Sequence, residues 1–130
     1  MPLAGLAADI LARARSGDAI LLQGPLGAGK TTFARAFLRA AAGDPVLEVP
    51  SPSYTLVQSY ETRLGPIHHF DLWRLDGPHA LLELGWDEAC RDIVLVEWPD
   101  RLGPLRPADA LTLTLTQDHA VSLSGWSERW

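Results

Sequence analysis

The sequence contains no asparagine, one cysteine and a single lysine, and no apolar run long enough to cross a bilayer. Each absence excludes something. A lone Cys90, with no Cys or His neighbours at metal-ligand spacing, forms no internal disulfide and no thiolate metal site, and is read as a core or half-buried thiol. A membrane-spanning helix needs about 20 apolar residues, and the start of the chain lacks a basic region followed by a long apolar stretch and cleavage site. The expectation is a cytoplasmic protein that neither spans nor enters a membrane. Basic runs are also absent, and the net charge is −5, so phosphate neutralisation gives the chain little means of holding nucleic acid directly. Without asparagine, the Asn-Lys-x-Asp pattern by which signalling GTPases read guanine cannot be present.

What remains is ordinary for a globular chain: 130 residues, 47% hydrophobic and 21% charged. That length predicts one domain, residues 1–130, with enough buried surface for a single core. Ten arginines are scattered along the chain, whereas the one lysine, Lys30, lies in a glycine-rich loop. A solvated surface cation could have been arginine there as elsewhere.

Leu3, Leu6, Ile10 and Leu11 recur at helical spacing and predict a helix to about Arg15. Asp18 to Gln23 is a short apolar run of the kind buried on both faces of a parallel sheet. A helix is expected from Lys30 to Ala41, with Phe33, Phe37 and Leu38 on one face, Arg35 and Arg39 on the other, and Gly43 ending it. Val46 to Val49, Thr55 to Tyr60 and Ile67 to Asp71 read as β segments, the last two joined through Leu64, Gly65 and Pro66 as an antiparallel hairpin. Pro78 to Arg91 reads as a helix that breaks at Gly85. Ile93 to Glu97 is a buried strand, Leu111 to Leu115 alternates with threonines, Ala120 to Leu123 pairs back at an edge, and Pro99 to Pro107 is a surface loop. These elements predict an α/β fold: a mixed, mainly parallel sheet flanked by helices, plus the antiparallel hairpin.

Gly24-Pro25-Leu26-Gly27-Ala28-Gly29-Lys30-Thr31 matches the phosphate-binding pattern G-x-x-x-x-G-K-[ST] at every fixed position, between a strand and a helix. Glycines let successive N–H groups converge on an anion, and the helix N-terminus adds its positive end. Lys30 is expected to reach the β- and γ-phosphates of a nucleoside triphosphate, the Thr31 hydroxyl to ligate Mg²⁺, and Thr32 to donate to the α-phosphate. Magnesium takes further oxygens, so a carboxylate at a neighbouring strand end is required. Both Glu97, after Ile93-Val94-Leu95-Val96, and Asp71, after Ile67-His68-His69-Phe70, are candidates. His68 and His69 would point to opposite faces of a strand and cannot both ligate one metal. Trp98, next to Glu97, is placed to shield the nucleotide or to pack a partner, with a plain core position the alternative.

Four blocks together resemble the TsaE family of bacterial ATPases, which act in making N6-threonylcarbamoyladenosine in tRNA. They are Gly27-Ala28-Gly29-Lys30-Thr31-Thr32-Phe33, Ser51-Pro52-Ser53-Tyr54-Thr55-Leu56-Val57, His69-Phe70-Asp71-Leu72-Trp73-Arg74-Leu75 and Val96-Glu97-Trp98-Pro99. The first block is common among P-loop proteins; the other three in this order are specific. The resemblance implies a P-loop NTPase fold in which Thr31 and Glu97 bind Mg²⁺ and Asp71 supports hydrolysis. It also implies that Ser53 to Thr55 act as a switch near the γ-phosphate, and that the partners are TsaD and TsaB of the threonylcarbamoyl-transferase complex. Ser53 stands where the family more often has Thr, and Pro25 where it often has an acid. A small-molecule or nucleotide kinase is the alternative, although it needs a lid and acceptor pocket for which 130 residues leave little room. A nucleotide-binding adaptor without catalysis is a third reading, against which Asp71 and Glu97 weigh.

Overall fold

The computed structural model describes residues 3–130, which build one six-stranded sheet with helices on both faces. Helices α1 (Leu3–Leu11) and α2 (Lys30–Ala42) lie on one face, and the short helices α3 (Pro78–Glu83) and α4 (Trp86–Ala89) on the other. The strands are β1 (Ala19–Gln23), β2 (Val57–Thr62), β3 (Gly65–Asp71), β4 (Ile93–Glu97), β5 (Leu111–Leu115) and β6 (Val121–Ser124), ordered β2-β3-β4-β1-β5-β6. The central pairs β3–β4, β4–β1 and β1–β5 are parallel, and β2 and β6 pair antiparallel at the two edges.

Strand alternation divides the core in two. Ile20, Leu22, Ile93, Leu95, Leu111 and Leu113 pack beneath α1 and α2 with Phe33, Phe37 and Leu38. Leu21, Val94 and Val96 pack with Phe70, Leu81, Trp86 and Leu102 on the opposite side. Near-continuous apolar runs in β1 and β4 follow from this two-sided burial.

Several expectations shift. Helix α1 stops at Leu11, because Arg13 and Ala14 donate to the carbonyls of Ile10 and Leu11 and tighten the last turn; the Arg129 guanidinium meets the Arg13 carbonyl. Val46 to Val49 is not a strand. Asp44 folds the chain there, accepting from Val46 N–H through its side chain and from Leu47 N–H through its carbonyl. Arg39 then donates to the Leu47 carbonyl at 2.9 Å and Arg35 to that of Val49 at 3.4 Å, so guanidiniums of α2 meet two carbonyls that a sheet ladder would otherwise satisfy. The hairpin turn lies at Arg63-Leu64, since Gly65 and Pro66 already pair with Thr62 and Glu61. The break expected at Gly85 is present: the helix from Pro78 splits there, at a left-handed φ of 83°. Pro99–Leu105 is wound into 3₁₀ turns that bury Leu102.

Candidate functional site

Parallel register builds the site. In the β3–β4 ladder Asp71 pairs with Glu97, and in the β1–β4 ladder Leu22 pairs with Glu97, so both carboxylates end their strands beside the start of the glycine loop. This is the carboxyl edge of an open α/β sheet, where such folds bind ligands. The loop needs glycine for two reasons. Gly29 caps α2 in a left-handed conformation, φ 108°, and a Cβ on Gly24 would collide with the Leu115 carbonyl.

Beyond the loop, a cavity of about 300 Å³ is lined by Leu26, Gly27, Gly29, Lys30, Thr31, Thr32, Ser51, Ser53, Asp71, Glu97, Trp98 and His119. The Thr31 hydroxyl lies 3.0 and 3.1 Å from the two Glu97 carboxylate oxygens. Asp71 Oδ2 accepts from Ser53 at 3.1 Å and Ser51 at 3.4 Å, while its Oδ1 accepts from the Trp73 N–H at 3.0 Å. Lys30 is folded inward. Its Nζ donates to the Gly24 carbonyl at 2.5 Å and sits 3.3 Å from the centre of the Trp98 ring, a cation–π contact. Burial pulls the Lys30 ammonium below its ordinary pKa, and Glu97, then Asp71, then Asp100 pull it back up.

Of the residues singled out from sequence, the structure therefore gathers Leu26, Gly27, Gly29, Lys30, Thr31, Thr32, Ser53, Asp71, Glu97 and Trp98 around one cavity. Gly24 and Ala28 shape the loop without lining that cavity. Thr55 is exposed and outside the lining, accepting instead from the Gln58 side chain at 3.2 Å. Ser51, which opens the segment Ser51 to Thr55 that the resemblance places near the γ-phosphate, lines the cavity too, and His119, which no sequence motif marks, reaches it from the β5–β6 turn with a left-handed φ of 63°. His69 stands behind Glu97 without lining the cavity, wholly buried with Nε2 at 2.7 Å from Glu97 Oε2, whereas His68 faces the other side between Ser59 and Asp92. A signal for His69 was available: at two residues before Asp71 it must share that residue's face.

The chemistry on offer is that of polyphosphate and a hard cation. A hydroxyl and a carboxylate in contact form an oxygen-only donor set of the type Mg²⁺ accepts from proteins, so the residues present fit that ion. Strand, glycine loop, capped helix and strand-end acids together define an α/β protein of the P-loop class.

Comparison with known proteins narrows this class. The family model "Threonylcarbamoyl adenosine biosynthesis protein TsaE" matches residues 3–123, and the chain belongs to the TsaE family. The tRNA threonylcarbamoyladenosine biosynthesis protein TsaE of Rickettsia felis is 39% identical over 95 residues, covering 72% of this chain and 55% of that protein. The protein of the same name from Bacillus subtilis is 32% identical over 104 residues, covering 78% of this chain and 63% of its own length. The matched stretch thus spans more than half but less than two-thirds of these two curated relatives. The crystal structure of Bacillus subtilis YdiB superposes with a TM-score of 0.77 at 26% identity, over 98% of this chain and 81% of that one. Among the described residues no helix is long and apolar enough to cross a membrane.

Proposed function

We propose that the chain is a Mg²⁺-dependent ATPase that serves formation of N6-threonylcarbamoyladenosine in tRNA, acting on the TsaD and TsaB proteins of the threonylcarbamoyl-transferase complex in the cytoplasm. The observation that supports this most is the contact of Thr31 with Glu97 across the mouth of the phosphate loop, with Asp71 alongside in register.

The loop N–H groups and the α2 N-terminus would receive the phosphates of ATP. Lys30 would exchange the Gly24 carbonyl and the Trp98 face for the β- and γ-phosphates, which relieves the cost of a buried ammonium whose hydrogen bond goes to a neutral carbonyl. Thr31 and Glu97 would hold Mg²⁺, which when bound neutralises charge developing on the transferring phosphoryl group. Asp71 is the remaining carboxylate in the cavity and would orient the attacking water. Its partners Ser51 and Ser53 lie in the segment expected to respond to the γ-phosphate, so nucleotide state would reach the surface through those hydroxyls and the neighbouring exposed Tyr54. With a net charge of −5, the chain is suited to act on protein partners rather than to grip tRNA.

The test is phosphate release from ATP with Mg²⁺, with and without TsaD and TsaB. Stimulation by the partners supports the reading. Transfer of the phosphate to a small acceptor would replace it with a kinase.

A further inference from the structure

We infer that His69 is a positioning residue for the metal ligand Glu97, fixing the carboxylate from the side closed to solvent; this rests on the Mg²⁺ reading above. Glu97 is held between two groups. On the cavity side the Thr31 hydroxyl contacts both oxygens, and on the closed side His69 Nε2 lies 2.7 Å from Oε2. His69 itself is wholly buried and takes no place in the cavity wall. It therefore acts on any ligand only through Glu97.

The surroundings of His69 fix the direction of that contact. His69 Nδ1 is buried with no partner, and an ionised carboxylate only accepts. An imidazole carrying its proton on Nε2 satisfies Glu97 and leaves a bare lone pair on Nδ1; the opposite tautomer would leave a buried N–H unpaired and set two lone pairs against each other. So Nε2–H donates to Oε2. Oε2 is thereby engaged from behind, and the carboxylate loses its freedom to rotate about its last torsion. The freedom to reorient is what a small cation with strict octahedral demands tolerates least. Hydrogen-bonded supports of this kind carry roughly 10–100-fold in metal affinity or activity when removed. The register explains why histidine stands there: His69 pairs with Leu95, two residues before Glu97 on the same face of β4, so a side chain of imidazole length reaches the carboxylate diagonally across the ladder.

The experiment measures metal binding without turnover. ADP is titrated calorimetrically into the parent, His69→Leu, His69→Gln and Glu97→Gln, each at a series of Mg²⁺ concentrations and in its absence, with Mn²⁺ paramagnetic resonance as a direct count of bound metal. His69→Leu is expected to weaken the metal about 10–100-fold while shifting metal-free ADP binding less than twofold. His69→Gln, whose amide can donate from a similar reach, should recover most of the loss. In the parent, nitrogen-resolved NMR should find the His69 proton on Nε2, a measurement that stands even if His69→Leu does not fold. Metal affinity within twofold of the parent in His69→Leu, equal losses in both His69 variants, or a proton found on Nδ1 would each overturn the assignment. Glu97→Gln separates the two readings: if it too leaves metal affinity intact, the Mg²⁺ site itself is wrong, whereas a loss there alone removes only the role of His69.

Discussion

The two ends of the sheet core are built on opposite principles. Beneath the helices, buried side chains such as Phe37, Leu38, Leu21 and Val96 are apolar on both faces, and their burial stabilises the domain by removing hydrocarbon from water. At the carboxyl edge of β1, β3 and β4 lie Lys30, His69, Asp71 and Glu97, all polar and all less than 6% exposed. Burying such groups costs free energy even when they are paired, and replacing them with apolar groups is often neutral or stabilising. The concentration of that cost in one place, against a cavity, teaches that the edge is arranged for a ligand and the remainder for folding.

Substitutions in the core and at the edge should therefore have opposite effects on stability and on nucleotide binding. Phe37→Ala, in the fully buried layer beneath α2, should lower unfolding stability by about 3–5 kcal/mol in a denaturant titration, while any folded molecules bind nucleotide as before. Loss of nucleotide affinity without loss of stability would mean that the core and the site are not separate. Lys30→Ala reverses the expectation: hydrolysis is abolished and ATP binding weakens about ten- to a hundredfold, the value of a lost charged hydrogen bond, while the fold survives. Parental phosphate release from that variant would remove the loop from the mechanism.

Within the edge, the two carboxylates should separate. Glu97→Gln keeps shape and removes charge, and should raise the Mg²⁺ concentration needed for activity more than it changes metal-free nucleotide binding. Asp71→Asn should lower turnover with little change in the Mg²⁺ requirement. A magnesium titration of activity in both variants reads this, and the reverse pattern would exchange their roles.

The smallest effect concerns pH. Because burial depresses the Lys30 pKa, the unfolded chain holds that proton more tightly than the folded one between the depressed value and 10.5, and stability attributable to Lys30 rises with pH across that window. Below the window the buried charge is a net cost. Nucleotide-free Lys30→Met should therefore be at least as stable as the parent at neutral pH, with the gap narrowing toward pH 10.5 in thermal melts. A variant clearly less stable at neutral pH would show that the lysine supports the fold.

Much of this division was legible in the sequence because it follows from local rules. The loop is marked by glycines at fixed spacing and by the single lysine, and β4 by four aliphatics delivering Glu97. Period-two reasoning also separates His68 from His69. What escaped depends on distant parts of the chain. Val46 to Val49 has strand-like residues, yet Arg35 and Arg39 meet two of its carbonyls from α2, and no local pattern announces that. His119 reaches the cavity only because β6 turns back on β5, and the contact of His69 with Glu97 needs the parallel register between two strands far apart in sequence.

Whether the loop and the strand-end acids hold a nucleotide and its metal is read by a calorimetric titration of the parent chain with a non-hydrolysable ATP analogue, with and without Mg²⁺, repeated on Lys30→Ala and Glu97→Gln. In the parent, tight binding that Mg²⁺ strengthens is expected; Lys30→Ala should lose binding, and Glu97→Gln should lose the Mg²⁺ enhancement alone. Equal binding by all three chains, indifferent to Mg²⁺, would contradict these roles.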